Sequence, residues 1–223
     1  MTKETSLFDA PAPLRRGRHG LSRQEVETSQ RIRLLLSITQ EVGSRGFGET
    51  TIAHITGNAD VSKKTFYAHF RDKEHCFSTA YDAFSTFLLD EMRKARAQAG
   101  GTPAERSEAS AARYLSVLQA QPVRARALLV EVLKAGDAIL RQRRRVLEVF
   151  EQDLRAMVTE AVGPEGIWTV LPDEAYRMAV GGVDECVRLL IVEGRADELP
   201  GLTTAIVDNF HRLVQAQTQA IKP

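Results

Sequence analysis

A run of hydrogen-bond donors between residues 62 and 73 has the chemistry of a surface that binds a polyanion. Two lysines stand side by side, and hydroxyl, phenol and imidazole groups follow them at helical spacing. On the free side of a short helix, such side chains can contact base edges and phosphates in a DNA major groove. A lysine pair alone is more often simply solvated, so the prediction depends on the elements that position it. The side chains concerned are Ser62, Lys63, Lys64, Thr65, Tyr67 and His69.

Three helices are predicted around this run. Ser22 and Glu25 form a capping box at the start of the first helix, which extends to about Ser44, and Gly46 ends it. The second helix runs from Thr50 or Thr51 to about residue 59, and Ser62 caps a third that ends near residue 70. The inward side chains of this unit are expected to be Ile52, Ile55, Ala59, Val61, Phe66 and Phe70.

This arrangement meets the requirements of a helix-turn-helix. Thr50 and Thr51 stand at the start of the supporting helix, where free N–H groups favour a phosphate. Asp60 occupies the tight turn, and aspartate tolerates a left-handed backbone better than most residues. Phe66 and Phe70 can hold down the apolar side of the third helix and leave its polar side free. The sequence therefore predicts a module that reads duplex DNA.

The same residues resemble a known family. Gly46-Phe47 followed by Thr50-Thr51-Ile52, then Ala59-Asp60-Val61-Ser62, Thr65-Phe66-Tyr67-Ala68-His69-Phe70 and Lys73-Glu74 are similar to the N-terminal domain of TetR-type transcriptional regulators. The resemblance covers roughly residues 28–80. Many residue types agree at fixed offsets, which makes the match specific.

The resemblance implies roles for individual positions. Thr51 and Tyr67 match phosphate contacts, the residues from Lys63 to Thr65 match exposed positions of the recognition helix, and His69 and Lys73 match further backbone contacts. Two positions depart from the pattern. Asp60 stands where the family usually has glycine, so backbone strain is expected in the turn. Thr56 stands where the family usually has alanine, which places a hydroxyl near the small core of the three helices.

The rest of the chain reads as helical. Apolar residues recur at three- and four-residue spacing, and Gly-Pro breaks follow residues 99 and 162, so we expect an all-α protein of about nine helices. The expected organisation is a flexible basic arm over residues 1–21, a DNA-binding domain over 22–72, and an effector-binding and dimerisation domain over 73–223. By resemblance, the larger domain binds a small-molecule effector of unknown identity.

Two sets of residues in the larger domain are candidates for function. Each aromatic or methionine is by default ordinary core, but together several could line an effector pocket: Phe84, Phe87, Tyr114, Phe150, Met157 and Trp168. Arg113, Arg126, Glu131, Asp137 or Glu185 could orient the ligand. Two apolar stripes near the C-terminus predict a homodimer interface formed by Tyr176, Val180, Val183, Val187, Leu190, Ile206, Phe210, Leu213 and Val214.

Composition limits the remaining possibilities. Residues 11–75 hold eleven Lys/Arg against seven Asp/Glu, a net charge of +4, while the rest of the chain sums to −3. No sequence pattern predicts a membrane span, a metal site, a cofactor-binding loop or a catalytic nucleophile–base pair. Cys76 and Cys186 lie in different predicted helices, so a structural disulfide is not expected and a cytoplasmic location is the default.

We expect a non-enzymatic, ligand-responsive regulator, most simply a repressor that leaves a palindromic operator when it binds its effector. An activator or architectural DNA-binding protein of the same fold is the alternative.

Overall fold

The structure, a computed structural model, describes residues 22–163 and 171–219. The described residues form nine α-helices and no strand. The helices are α1 Arg23–Arg45, α2 Ile52–Asn58, α3 Lys63–His69, α4 Lys73–Ala99, α5 Pro103–Ala120, α6 Pro122–Leu129, α7 Asp137–Val162, α8 Asp173–Val192 and α9 Thr203–Gln219. The expectation of an all-α protein is confirmed.

Local capping explains where the first helices begin and end. Ser22 caps α1 and forms the expected capping box with Glu25, and Gly46 ends the helix with a positive φ of 90°. Thr51 caps α2 through a hydrogen bond from the backbone N–H of His54, and Ser62 caps α3 through the N–H of Thr65. These boundaries agree with the sequence-based prediction to within one or two residues.

The two departures from the family pattern are accommodated locally. Asp60 adopts the left-handed conformation, with φ 48°, and is the non-glycine residue with positive φ among those described. The hydroxyl of Thr56 donates to the carbonyl of Ile52 at 2.9 Å, so it is satisfied within α2 rather than left unpaired in the core. Neither substitution disturbs the helix-turn-helix.

A single apolar core runs from the N-terminal helices into the rest of the molecule. Ile38 of α1 and Phe66 of α3 belong to the same cluster as Phe77 of α4, Leu128 of α6 and Val187 of α8. The DNA-binding unit therefore does not form a separate small core, which the sequence had suggested. Movement of a helix in the larger part can reach α1 and α3 directly through packed side chains.

Helices α1 and α6 approach each other closely at Gly43. A Cβ placed on this residue would lie 1.9 Å from the carbonyl oxygen of Val123 at the start of α6. Only glycine allows the two backbones to approach this closely. Two hydrogen bonds join α7 to α4: the Ser78 hydroxyl donates to the Gln142 side-chain oxygen at 2.6 Å, and the Gln142 amide donates to the Ser78 carbonyl at 2.8 Å.

Two segments differ from the expected helix pattern. After α6 the chain forms a 3-10 turn over Glu131–Lys134, and a second 3-10 segment over Ala196–Leu202 precedes α9. Leu202 therefore lies in this second segment and not in α9. Pro200 explains the difference, because proline lacks the N–H that an α-helix interior requires.

Candidate DNA-binding surface and ligand cavity

The outward face of α3 is polar and accessible. Lys63, Lys64 and Ser62 are exposed, and Tyr67 exposes 58% of its surface. Thr65 is half-buried, and its hydroxyl lies 2.9 Å from that of Ser62 at the helix cap. The structure thus brings together the polar side chains that the sequence placed on this face.

The inward face of α3 is fixed by packing and by contacts from α1. Phe66 and Phe70 expose 0% and 1% of their surfaces, and the guanidinium of Arg31 lies 4.9 Å from the centre of the Phe70 ring. Arg33 donates to the carbonyl of Ala59 at 3.0 Å, next to the turn. Contacts from α1 therefore determine how α3 is presented. Sequence reasoning did not single out these two arginines. Their partners, Phe70 and Ala59, lie more than 25 residues away along the chain, so only the fold shows these contacts.

Thr50 requires a correction. It was predicted to contact a phosphate, but it exposes only 1% of its surface, and its hydroxyl donates to the carbonyl of Gly46 at 2.8 Å. Thr50 therefore closes the loop between α1 and α2. The neighbouring Thr51 is exposed at the N-cap of α2 and keeps the position expected of a phosphate contact.

Lys73 has a structural contact of its own. Its ammonium donates to the carbonyl of Phe47 at 2.7 Å and lies 4.5 Å from the centre of that ring. The side chain thus joins the start of α4 to the loop between α1 and α2. Any contact of Lys73 with DNA must be made in addition to this one.

His69 is half-buried at the end of α3. Its burial, and then the positive charge of Arg31, hold the pKa of the imidazole below its usual value. In the absence of DNA the shift favours the neutral ring, which can still donate a hydrogen bond to a phosphate.

A cavity of about 150 Å³ lies among α4, α5, α6, α7, α8 and α9. Of the six predicted pocket residues, Phe84, Tyr114, Phe150 and Met157 line it. Phe87 is half-buried but lies outside the cavity wall, because it is turned off the inward face that Phe84 and Leu88 share. Trp168 lies outside the described residues.

One part of the cavity wall is polar. Asp184 of α8 forms an ion pair with Arg143 of α7, and both Tyr81 and Tyr114 lie close enough to feel its charge. Burial raises the pKa of the Asp184 carboxyl, and the adjacent Arg143 opposes the shift. Burial also raises the pKa of both phenols, which stay protonated at neutral pH.

A second carboxylate lines the cavity farther along α7. Asp153 exposes 6% of its surface and accepts hydrogen bonds from Arg93 at 2.8 Å and from Arg96 at 3.1 Å. Sequence reasoning missed both carboxylates. The available signal was a charge inside an apolar stripe, since Asp153 is three residues from Phe150 and Asp184 is three residues from Val187.

The charged residues proposed to orient a ligand do not line this cavity, and several have partners elsewhere. Arg113 pairs with Glu91, and Glu185 pairs with Arg188 on the exposed side of α8. Glu131 is buried and pairs with Lys134 at 3.1 Å and with Arg126 at 3.6 Å. The charge of Arg113 therefore connects α5 to α4, and the other charges connect neighbouring turns.

Part of the predicted dimer interface requires a correction. Tyr176, Val187 and Phe210 are buried within the protomer, at 1%, 0% and 4% exposure. The other six residues are half-buried, and they pack against the core or line the cavity: Val180, Val183, Leu190, Ile206, Leu213 and Val214. The two apolar stripes cover the protomer's own core first. The apolar residues that α8 leaves exposed are Met178, Leu189 and Val192.

Residues 35–80 match the family model described as bacterial regulatory proteins, tetR family. This segment runs from the middle of α1 into α4 and contains the whole helix-turn-helix. No curated protein matches the chain. Within the described ranges, no helix combines the length and apolar character needed to span a membrane.

Solved structures share the fold of most of the chain at low identity. The fatty acid degradation regulator FadR from Bacillus halodurans is similar with a TM-score of 0.72 and 17% identity, over 81% of this chain and 94% of that one. FadR from Bacillus subtilis in complex with stearoyl-CoA is similar with a TM-score of 0.70 and 16% identity, over 80% of this chain and 96% of that one. A TetR-family regulator from Streptomyces coelicolor is similar with a TM-score of 0.63 and 16% identity, over 90% of this chain and 98% of that one.

Proposed function

We propose that this chain, which belongs to the TetR family of transcriptional regulators by its N-terminal domain and its fold, is a ligand-responsive repressor. It binds a palindromic operator as a homodimer and leaves that operator when a small molecule enters the cavity. The domain boundary that we propose at residues 72 and 73 coincides with the start of α4.

The observation that carries this proposal is the presentation of α3. Phe66 and Phe70 anchor one side of the helix, while Lys63, Lys64 and Tyr67 stand exposed on the other. A short helix fixed in this way fits a major groove, where lysines reach base edges and the phenol reaches a phosphate. The basic excess of residues 11–75 supports the same reading.

The packing of the molecule supports control by a ligand. Tyr81, Phe84 and Leu88 of α4 line the cavity, and the same helix begins at Lys73, which contacts the loop of the DNA-binding unit. A ligand that pushes α4 moves the point where the two parts meet. Dimeric helix-turn-helix proteins need their reading helices about 34–36 Å apart, so a small change of spacing weakens binding. Coupling of about 1–3 kcal/mol would change DNA affinity by roughly 5–150-fold.

A second copy of the chain is the proposed partner of α8. Its outward face carries Met178, Leu189 and Val192, which expose 70%, 43% and 45% of their surfaces. Gly181 and Gly182 lie between them in open space, so another helix could approach the backbone closely. A two-fold pair would present two α3 helices to a palindrome. This face replaces the inward residues expected from the sequence.

The effector is proposed to be a small organic molecule. A cavity with a mostly apolar wall and a few convergent polar groups is the usual form of a ligand site. The regulator from Bacillus subtilis, which has a similar fold, was solved in complex with stearoyl-CoA, and this supports an organic effector for the present chain.

The test is a selection from random duplex DNA with the full chain. We expect an enriched palindrome, whose preferred bases change when Lys63 or Lys64 is replaced by alanine, by about 1–3 kcal/mol for a bidentate contact. Replacing the exposed Glu49, which lies outside α2 and α3, by glutamine is the control and should leave base preference unchanged. If no palindrome is enriched, the proposal of a sequence-specific regulator fails.

The role as a repressor needs a separate measurement. Transcription in vitro from a promoter that contains the selected site should fall when the protein is added. A rise would assign the chain as an activator of the same fold, which is the alternative that the sequence left open.

A further inference from the structure

We propose that the cavity selects compact, lipophilic molecules that carry a cationic amine head, and that Asp184 receives this head. This inference rests on the proposed function, because it names the class of ligand for the same cavity.

The charges at the cavity wall have one sign. Among the described residues that line it, the charged side chains are Asp153 and Asp184, and no lysine, arginine or histidine is present. The arginines that pair with these carboxylates lie behind them, outside the wall. A molecule inside the cavity therefore meets the negative end of each ion pair. An N–H donor or a cation is attracted there, whereas a carboxylate or a phosphate is repelled.

Asp184 is the better placed of the two carboxylates. Both carboxylate oxygens of Asp153 already accept hydrogen bonds, Oδ1 from Arg93 and Oδ2 from Arg96. For Asp184, the structure gives a hydrogen bond to Oδ2 from Arg143. Its other oxygen is left for a ligand, so an ammonium group can join the pair without displacing Arg143.

Hydroxyl groups line the same cavity. Ser110 exposes 2% of its surface, and its hydroxyl has no hydrogen-bond partner. Because buried polar groups are nearly always paired, this hydroxyl marks a place that a ligand or water completes. The phenols of Tyr81 and Tyr114 also line the cavity, and both lie near Asp184. The hydroxyl oxygens can accept hydrogen bonds from those N–H groups of the ligand's ammonium that are not bonded to Asp184.

The remaining wall fixes the rest of the ligand. Phe84, Leu88, Phe150 and Leu154 are among the apolar side chains that surround the cavity. A cavity of about 150 Å³ suits a molecule of benzene size. One aromatic ring with a short aminomethyl arm therefore satisfies both the apolar and the polar part of the wall.

Three probes of nearly equal size test this selection on the unaltered full chain without DNA. Benzylamine carries the cation, benzyl alcohol carries a neutral donor, and benzoate carries the anion. Binding is measured by ligand-observed NMR titration at pH 7. We expect benzylamine to bind at least about tenfold more tightly than benzoate, with benzyl alcohol between them.

Two variants locate the effect. Asp184→Asn should reduce the affinity for benzylamine at least about fivefold and leave that for benzyl alcohol nearly unchanged. Asp82→Asn is the matched control, because Asp82 is exposed on α4 one residue after Tyr81 and lies outside the cavity. Tyr114→Phe, which only removes a hydroxyl, provides a second variant that keeps the packing of the core. It should weaken benzylamine by about twofold to tenfold.

The outcomes separate this inference from the proposed function. Benzoate binding as tightly as benzylamine, equal loss in the Asp82 and Asp184 variants, or no binding of any probe would each overturn the amine preference. A later finding that a ligand of another class releases the operator would leave the regulator intact. Selective amine binding that never changes operator affinity would instead remove the ligand switch and keep the assignment of the cavity.

Discussion

Replacing Gly43 by alanine tests whether the junction between α1 and α6 is as tight as the structure shows. The new Cβ would lie 1.9 Å from the Val123 carbonyl oxygen and 2.9 Å from its Cγ1. Ordinary contact begins at 3.4 Å, so the two helices would have to separate by about 1.5 Å. The obstruction is backbone, which cannot rotate away as a side chain can.

The magnitude follows from two opposing effects. Overpacking a tight interior costs about 1–3 kcal/mol. Alanine in a helix gains about 0.5–1 kcal/mol over glycine, mainly because it restricts the unfolded chain. Because a Cβ 1.9 Å from a backbone oxygen is a severe overlap, the overpacking cost lies at the upper end of its range. We therefore expect Gly43→Ala to lower the free energy of unfolding by about 2–2.5 kcal/mol.

Gly57 provides the matched control. It is also a helical glycine, but it is exposed, and a Cβ placed on it meets no atom within 4 Å. Gly57→Ala should raise the free energy of unfolding by about 0.5–1 kcal/mol.

Urea unfolding measures both changes. All variants should be compared at one protein concentration, since a dimer's stability depends on it. Equal m-values would show that the same surface unfolds in each variant. The reasoning is refuted if Gly43→Ala is neutral, or if it stabilises the protein as Gly57→Ala does.

Four further changes are expected. Tyr67→Phe should weaken binding to every DNA sequence by about 0.5–1.5 kcal/mol, in a mobility-shift titration, because a phosphate contact carries no sequence information. Lys73→Ala should lower both DNA affinity and melting temperature, since its ammonium also holds the carbonyl of Phe47; an unchanged melting temperature would contradict this contact. Leu189→Glu should shift sedimentation at micromolar concentration from dimer to monomer, and a persisting dimer would place the interface elsewhere. Asp153→Ala should lower the free energy of unfolding in urea by about 1.5–3 kcal/mol, because it removes the acceptor of two arginines.

The sequence by itself determined the helix boundaries of the DNA-binding unit. Ser22, Gly46, Thr51 and Ser62 act through hydrogen bonds or dihedral angles within three or four residues, so their effect can be read without the fold. Asp60 belongs to the same group, because its left-handed backbone is a property of the turn. The polar face of α3 followed from the spacing of Phe66 and Phe70 in the same way.

Only the tertiary structure decided what each face contacts. Thr50 and Thr51 are the same residue type at neighbouring positions, yet one is buried in a loop and the other is exposed, because the Gly46 carbonyl lies beside Thr50 alone. An apolar stripe on α8 indicates that one side is covered but not by which surface. Val187 turned out to cover its own core, while Met178 stayed exposed.

The polar wall of the cavity depended on the fold for the same reason. Asp153 and Asp184 lie 31 positions apart in the sequence, and their arginine partners come from helices distant along the chain. A pattern of periodicity records which residues share a side of one helix. It holds no information on the distance between helices, and that distance determines which charges are paired and which open into a cavity.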